Sequence, residues 1–261
     1  MSLIANQLSL HGENEIRLRN ISCEIRPGEL SVIIGPNGSG KTSLVKLLAG
    51  ELSPSQGQVS LDDIDLVDWA SEELARRRAV MPQHATLDFP FRVRDVVALG
   101  RSPYPRDVQK DASLVSDAMR RFDIEGLGSR MYTTLSGGER QRVHLARVWV
   151  QLSDPDGDFP RYLLLDEPTS ALDMRHQREF LNLLKQSVSD GKMGVVAVLH
   201  DLSSAARYAD HLILLNRGCL VAAGSCEQVL TPKNIQDIYQ VPVEFLRYTR
   251  GEKHVIAVPD A

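Results

Sequence analysis

The feature that most constrains this chain is the octapeptide Gly35-Pro36-Asn37-Gly38-Ser39-Gly40-Lys41-Thr42. It follows the apolar run Leu30-Ser-Val-Ile-Ile34 and precedes Thr42-Ser-Leu-Val-Lys-Leu-Leu-Ala49, whose apolar residues recur at helical spacing before Gly50, a plausible helix end. Strand, glycine-rich turn and helix in that order open an α/β nucleotide-binding unit, and the pattern G-x-x-x-x-G-K-[ST] in that setting is a P-loop. Glycines let successive backbone N–H groups turn inward around phosphate oxygens, and the helix start adds its positive dipole end. Gly35 to Thr42, with Ser43 behind them, are therefore candidate phosphate ligands. Lys41 reaches the β- and γ-phosphates, and the Thr42 hydroxyl suits Mg²⁺.

A second segment fits the same chemistry. Tyr162-Leu-Leu-Leu-Asp166-Glu167 is an apolar strand ending in two carboxylates. An apolar run ending in Asp-Glu is common, but roughly 120 residues beyond a P-loop it reads as a Walker B strand. Asp166 then belongs near the Mg²⁺ shell, and Glu167 stands where a general base would polarise the attacking water.

The pattern between these segments is different. Residues 1–34 alternate like strands, 57–65 read as a strand with its turn, and Ser71 is placed to cap a short helix. Residues 88–150 are mostly helical, broken at Arg101-Ser-Pro-Tyr-Pro105, as an insertion into the α/β core would be. The Pro-, Gly- and Asp-rich stretch 152–160 reads as a surface loop, after which the α/β pattern resumes with strands at 162–166, 194–199 and 211–215 and a helix near 175–189. In a chain of 261 residues this is one domain, 1–261, without repeats or linkers. Net charge is −4 and aromatics are 5%, the wrong balance for a nucleic-acid binder. Three cysteines with no C-x-x-C pair fit a reducing compartment, and Cys219 and Cys226 read as small structural residues. Runs such as Val195–Leu199 are far too short to cross a bilayer, and the first residues lack a signal-peptide pattern, so membrane crossing would fall to other subunits. Asp62, Asp63 and Asp65 read as a solvated turn, and Arg76-Arg77-Arg78 as a helical face covered by arginine stems.

Leu135-Ser136-Gly137-Gly138-Glu139-Arg-Gln141 is a second helix start built for an anion, with a hydroxyl and N–H groups facing outward. With this LSGGE-x-Q segment the chain resembles the ABC ATPases over nearly its whole length. The resemblance implies an α/β P-loop core with an antiparallel β subdomain and an inserted helical subdomain. It further implies ATP with Mg²⁺, and a dimer in which Ser136, Gly137 and Gly138 face the γ-phosphate held by a second copy of the chain. Gln83 matches the Q-loop glutamine, able to touch Mg²⁺ or water. Ser170-Ala-Leu-Asp173 matches the D-loop, and His200 the switch histidine that contacts the γ-phosphate. Where many relatives place a Tyr against adenine, His11 stands here by position, a smaller ring that stacks more weakly.

Within that family, Phe91-Arg-Val-Arg-Asp-Val-Val-Ala-Leu-Gly-Arg101-Ser-Pro-Tyr-Pro resembles importers of iron-siderophores, haem and cobalamin. The acidic loop before Asp166 and the ending Leu230-Thr-Pro-Lys-Asn-Ile-Gln-Asp-Ile-Tyr-Gln-Val resemble the bacterial haem (hemin) importers, with siderophore or cobalamin transport as the alternative. The resemblance implies transmembrane permease subunits, a periplasmic substrate-binding protein acting indirectly, and a place on the cytoplasmic face of the inner membrane. It implies no direct contact with haem, so none of the seven histidines is expected as a haem ligand. Residues 83–91, with Leu87, Phe89 and Phe91 about Pro90, are expected either to dock the permease, with Asp88 as a cross-linking position, or to pack in the core.

Overall fold

A computed structural model describes residues 2–12, 16–83, 87, 89–153, 158–241, 244–247 and 253–256. The chain opens with β1 (Leu3–His11), β2 (Ile16–Ile25) and β3 (Leu30–Ile34), then α1 (Lys41–Leu48), β4 (Gln56–Leu61), β5 (Ile64–Asp65), α2 (Ser71–Arg77) and β6 (Arg78–Met81). Three helices follow, α3 (Val93–Ala98), α4 (Val108–Arg121) and α5 (Gly137–Leu152). The chain continues through β7 (Arg161–Leu165), α6 (Met174–Ser187), β8 (Met193–Val198), α7 (Leu202–Tyr208), β9 (His211–Asn216) and β10 (Cys219–Gly224). It ends in α8 (Cys226–Val229), α9 (Pro232–Tyr239) and the hairpin β11 (Glu244–Arg247) and β12 (Lys253–Ile256).

The main sheet runs β10-β9-β3-β8-β7-β6, and β9, β3, β8, β7 and β6 are mutually parallel. Such strands are covered on both faces and so read as unbroken apolar runs. Alternate residues enter two cores. Leu163 and Leu165 of β7, and Val195 and Ala197 of β8, pack with α5, α6 and α7. Tyr162 and Leu164, with Val196 and Val198, pack with α1 and the first strands. The second sheet, β2-β1-β4-β5, is antiparallel throughout. The α/β core with an antiparallel sheet is the expected architecture, and α3, α4 and α5 stand between the parallel neighbours β6 and β7.

Gly100 sets how closely this helical segment approaches itself. A Cβ there would lie 2.2 Å from the Arg147 carbonyl oxygen and 2.5 Å from Val150 Cγ1 of α5. Overpacking of this kind costs about 1–3 kcal/mol. Gly100→Ala should therefore lower the melting temperature by roughly 5 °C, read by calorimetry.

Local readings need three corrections. Ser71 is the first residue of α2 rather than its cap; Ala70 takes that position, and Glu72 and Glu73 complement the helix start instead. Asp62 is not simply solvated, because it pairs with Arg77, both side chains being about 15% exposed or less. The arginines also do not share one helical face: Arg76 Nε donates to the Pro103 carbonyl, Arg77 lies over Trp69 and Phe159, and Arg78 begins β6 with a largely buried guanidinium. Gly50 is left-handed just past α1, as a helix-terminating glycine should be. The cysteines are free, and burial pushes the Cys23 thiol up to about 12. No helix among the described residues is long and apolar enough to cross a membrane.

Candidate active site

Parallel strands direct their carboxyl ends the same way, and ligands of open α/β sheets bind beyond those ends. Four neighbouring strands do this here. The glycine loop follows β3, Gln83 follows β6, Asp166 and Glu167 follow β7, and His200 follows β8. Register holds them level, with Met81 opposite Leu165, Leu165 opposite Ala197 and Val198 opposite Ile33. The result is a cleft of about 890 Å³ lined by Asn37, Gly38, Gly40, Lys41, Thr42, Ser43, Gln83, Glu167 and His200.

Gly40 precedes α1 at φ 101°, and a Cβ there would fall 2.6 Å from Leu18 Cδ2. The turn that starts α1 thus needs glycine both for its dihedral and for its contact with β2. Lys41 is 6% exposed. Its ammonium donates to the carbonyls of Gly35, at 2.9 Å, and Pro36, at 2.8 Å, within its own loop. Burial pulls its pKa below the ordinary lysine range, while Glu167 and Asp166 oppose that shift. Ser39 is buried, its hydroxyl without a partner among the described residues, and its carbonyl accepts from Gly218 N–H of the β9–β10 turn.

Asp166 is 2% exposed. Burial holds its carboxyl above the usual range, a hydrogen bond from Thr42 acts in the other direction, and Glu167 adds to the rise. Among the described residues its Oδ1 has no hydrogen-bond partner. A desolvated carboxylate oxygen beside a threonine hydroxyl is a hard donor pair suited to Mg²⁺, which takes one or two protein oxygens and completes its shell with phosphates and water. Among the described residues no three His, Cys, Asp or Glu side chains gather to bind a metal alone. The pair therefore fits a cation that arrives with polyphosphate.

Glu167 stands at φ 53°, a left-handed position unusual for a residue with a side chain and typical of functional sites. Its Oε1 lies 2.7 Å from His200 Nε2. The backbone turn thus aims the carboxylate at the cleft and at the residue beyond the next strand.

Of the expected site residues, Gly35, Pro36, Ser39 and Asp166 belong to the phosphate loop and the end of β7 without lining the cleft, and Ser136, Gly137, Gly138, Asp173 and His11 do not line it either. Ser136 caps α5 in a reciprocal capping box. Its backbone N–H and its hydroxyl each donate to Glu139 Oε2 at 2.8 Å, and these two bonds hold the Glu139 carboxyl below its usual range; the hydroxyl in turn accepts from Glu139 N–H. Asp173 caps α6 by accepting from His176 N–H at 2.9 Å. His11 ends β1 exposed, its N–H donating to Ser55 Oγ at 3.0 Å. The cleft is completed instead by Ile16, Arg17, Arg217 and Gly218. Sequence reasoning missed all four. The Arg217-Gly218 pair carries a turn signal, but nothing local says that the turn borders a phosphate loop.

Comparison with known proteins identifies the family and the fold. The family model described as ABC transporter matches residues 18–170. The hemin import ATP-binding protein HmuV of Hydrogenovibrio crunogenus is 43% identical over 95% of this chain and 97% of its own length. Its counterpart in Pseudomonas entomophila is 47% identical over 89% of each. A solved structure described as a metal-chelate type ABC transporter in an inward-facing conformation aligns at TM-score 0.80 with 25% identity, covering 100% of this chain and 97% of that one. An ATP-binding cassette solved as a dimer with ADP and Pi aligns at TM-score 0.74 with 25% identity, over 85% of this chain and 98% of that one. With Lys41, Asp166 and Glu167 gathered at the strand ends and a relative matched along nearly its full length, the chain belongs to the ABC transporter family, among its ATP-binding subunits.

Proposed function

We propose that this protein binds ATP with Mg²⁺ in the cleft beyond β3, β6, β7 and β8, hydrolyses it, and thereby powers haem uptake across the bacterial inner membrane. The observation that carries the catalytic part is the convergence of Lys41, Thr42, Gln83, Glu167 and His200 on one cleft from four strand ends. The backbone of Gly35 to Ser43 and the Lys41 ammonium hold the triphosphate. Thr42 and Asp166, with Gln83 at the edge, would hold Mg²⁺, which supplies charge neutralisation at the β- and γ-phosphates. Glu167 orients the attacking water and takes its proton, and His200 contacts the γ-phosphate and fixes Glu167. The ring of His11 would stack on the adenine at the edge of the cleft.

The cleft leaves the signature segment of its own chain unused. Ser136, Gly137 and Gly138 present an exposed helix start, which would close over the γ-phosphate held by a second copy, with Asp173 at the same seam. Homodimerisation with two shared sites follows. Mixing Ser136→Arg chains with Lys41→Ala chains tests it. Each variant alone should be inactive, whereas a mixed dimer has one site with both lesions and one with neither. ATPase recovery on mixing is expected, and normal hydrolysis by Ser136→Arg alone would end the shared-site reading.

The cargo assignment rests on the likeness to hemin import ATP-binding proteins over most of the chain. A broader metal-chelate cargo is the second reading, favoured by the metal-chelate transporter structure. The permease would dock near the junction of β6 with the helical segment, where Phe89 is 70% and Phe91 40% exposed; Asp88 lies outside the described residues. The subunit sits on the cytoplasmic face, with the periplasmic binding protein acting through the permease and no haem bound here. Reconstitution with the co-purifying permease discriminates: haem-loaded binding protein should raise ATPase several-fold, and stimulation by a siderophore or cobalamin instead would reassign the cargo.

A further inference from the structure

The segment 167–176 links Glu167 to the cap of α6, yet cavities flank it. One of about 180 Å³ borders Glu167, Ser170, Leu172 and His200. Another of about 310 Å³ borders Leu172 from the side of Phe122, Leu145 and Phe180. Within it Pro168 is buried and Leu172 packs against the main core, and polar contacts from α5 hold the backbone on either side. Gln141 grips the front half: its Oε1 accepts from Ala171 N–H at 2.9 Å, and its Nε2 donates to the Glu167 carbonyl at 3.3 Å.

The next residue grips the back half. His176 Nδ1 lies 2.9 Å from both carboxylate oxygens of Asp173. Arg142 Nη1 is hydrogen-bonded to Nε2 of the same ring. Arginine can only donate, so its partner on the ring, Nε2, is the acceptor and Nδ1 carries the hydrogen toward Asp173. Asp123, at the end of α4 and in a left-handed conformation, places its carboxylate 3.6 Å from His176 Nε2 and 4.0 Å from Arg142 Nη1. The Arg142 side chain is 15% exposed and that of His176 21%, so their mutual contact is largely shielded, whereas the carboxylates of Asp123 and Asp173 face solvent at 77% and 66% exposed and add less.

We propose that Arg142 and His176 are positioning residues for hydrolysis. They form the second jaw of a clamp, with Gln141 as the first, that ties the Glu167–Asp173 segment to the helix carrying the signature start. In this arrangement a shift of α5 moves Asp173 and the backbone behind Glu167 together, and Asp123 brings the end of α4 into the same linkage. Loss of the clamp leaves Lys41, Thr42 and the phosphate loop untouched but misplaces the base. The effect should fall on kcat, since small misplacements of a reacting group cost up to about a hundredfold in rate.

The inference rests on the reading of Glu167 as the base. The test is therefore run beside Glu167→Gln in the full-length protein, reconstituted with its permease, with equilibrium ATP binding and thermal melting measured for each variant. Arg142→Ala and His176→Ala should each lower kcat about tenfold while the ATP dissociation constant stays within about twofold. The double variant should be no slower than the slower single, because both remove one contact. His176→Gln, whose amide oxygen can accept from Arg142 in place of Nε2, should recover most of the rate, and it remains informative if an alanine variant melts early. Wild-type kcat in both alanine variants, losses that multiply in the double, or no recovery with glutamine would overturn the clamp. If Glu167→Gln itself turned over normally, the assignment of the base would fail, independently of the clamp.

Discussion

Glu167→Gln is expected to abolish nearly all steady-state hydrolysis, lowering kcat by about a thousandfold, within the range by which general bases contribute. The amide keeps the shape and can still meet His200, but it cannot take a proton from water. ATP binding should persist, because Lys41 and the backbone of Gly35 to Ser43 are unaltered. Bound ATP that is not consumed should hold two copies together, so the variant is expected to elute as a dimer in ATP with Mg²⁺ and as a monomer without nucleotide. Sizing chromatography beside a phosphate-release assay checks both parts. A monomer with full activity would remove Glu167 from the chemistry and the γ-phosphate from the dimer seam. The left-handed turn at Glu167 gives the experiment a structural control. Since the φ of 53° belongs to the backbone path rather than to the carboxylate, the glutamine variant should melt within about 1 °C of the parent, the usual result for an isosteric change away from the core.

Lys41→Ala is expected to fail one step earlier. Lys41, 6% exposed as a residue, is the cation of the phosphate loop, and in the free protein its ammonium satisfies the carbonyls of Gly35 and Pro36. A triphosphate offers it charged acceptors instead. Hydrogen bonds to charged groups contribute about 1.5–3 kcal/mol, which corresponds to a fall in ATP affinity of roughly 10- to 100-fold. The loss should shrink for ADP relative to ATP, because the γ-phosphate contributes part of the attraction. Equilibrium titration with a fluorescent ATP analogue, displaced by ATP or ADP, measures the difference. Equal affinities in parent and variant would take Lys41 out of the phosphate site. Truncation also leaves two loop carbonyls without their buried donor, so a modest drop in melting temperature should accompany the affinity loss.

The segments that made the site legible are contiguous. Gly35 to Thr42 and Leu135 to Gln141 are each a loop and a helix start in which neighbouring residues make one anion-binding surface. Tyr162 to Glu167 is one strand and its end. Unbroken apolar runs identified the buried parallel strands because both of their faces are covered, as the two separate cores meeting on β7 and β8 bear out. The change from period two to helical spacing marked the elements between β6 and β7. In each case the information lies within a few residues, where local stereochemistry and hydrophobic periodicity act.

Only the tertiary structure decided which distant residues meet. Ile16 and Arg17 reach the cleft because β2 lies over the start of α1, and Arg217 and Gly218 reach it because the β9–β10 turn contacts the phosphate loop. Ser71 looked like a cap until the path of the preceding chain gave that position to Ala70. Asp62 looked solvated until α2 brought Arg77 to it. The contacts of Arg142 with His176 and Asp123 join α5, α6 and the turn after α4, whose sequences individually call for no such meeting. Sequence by itself determined the elements and the two anion-binding helix starts, because those are properties of adjacent residues. The strand order β9-β3-β8-β7-β6 determined the site, because side chains far apart along the chain become neighbours only when the strands that carry them are laid side by side.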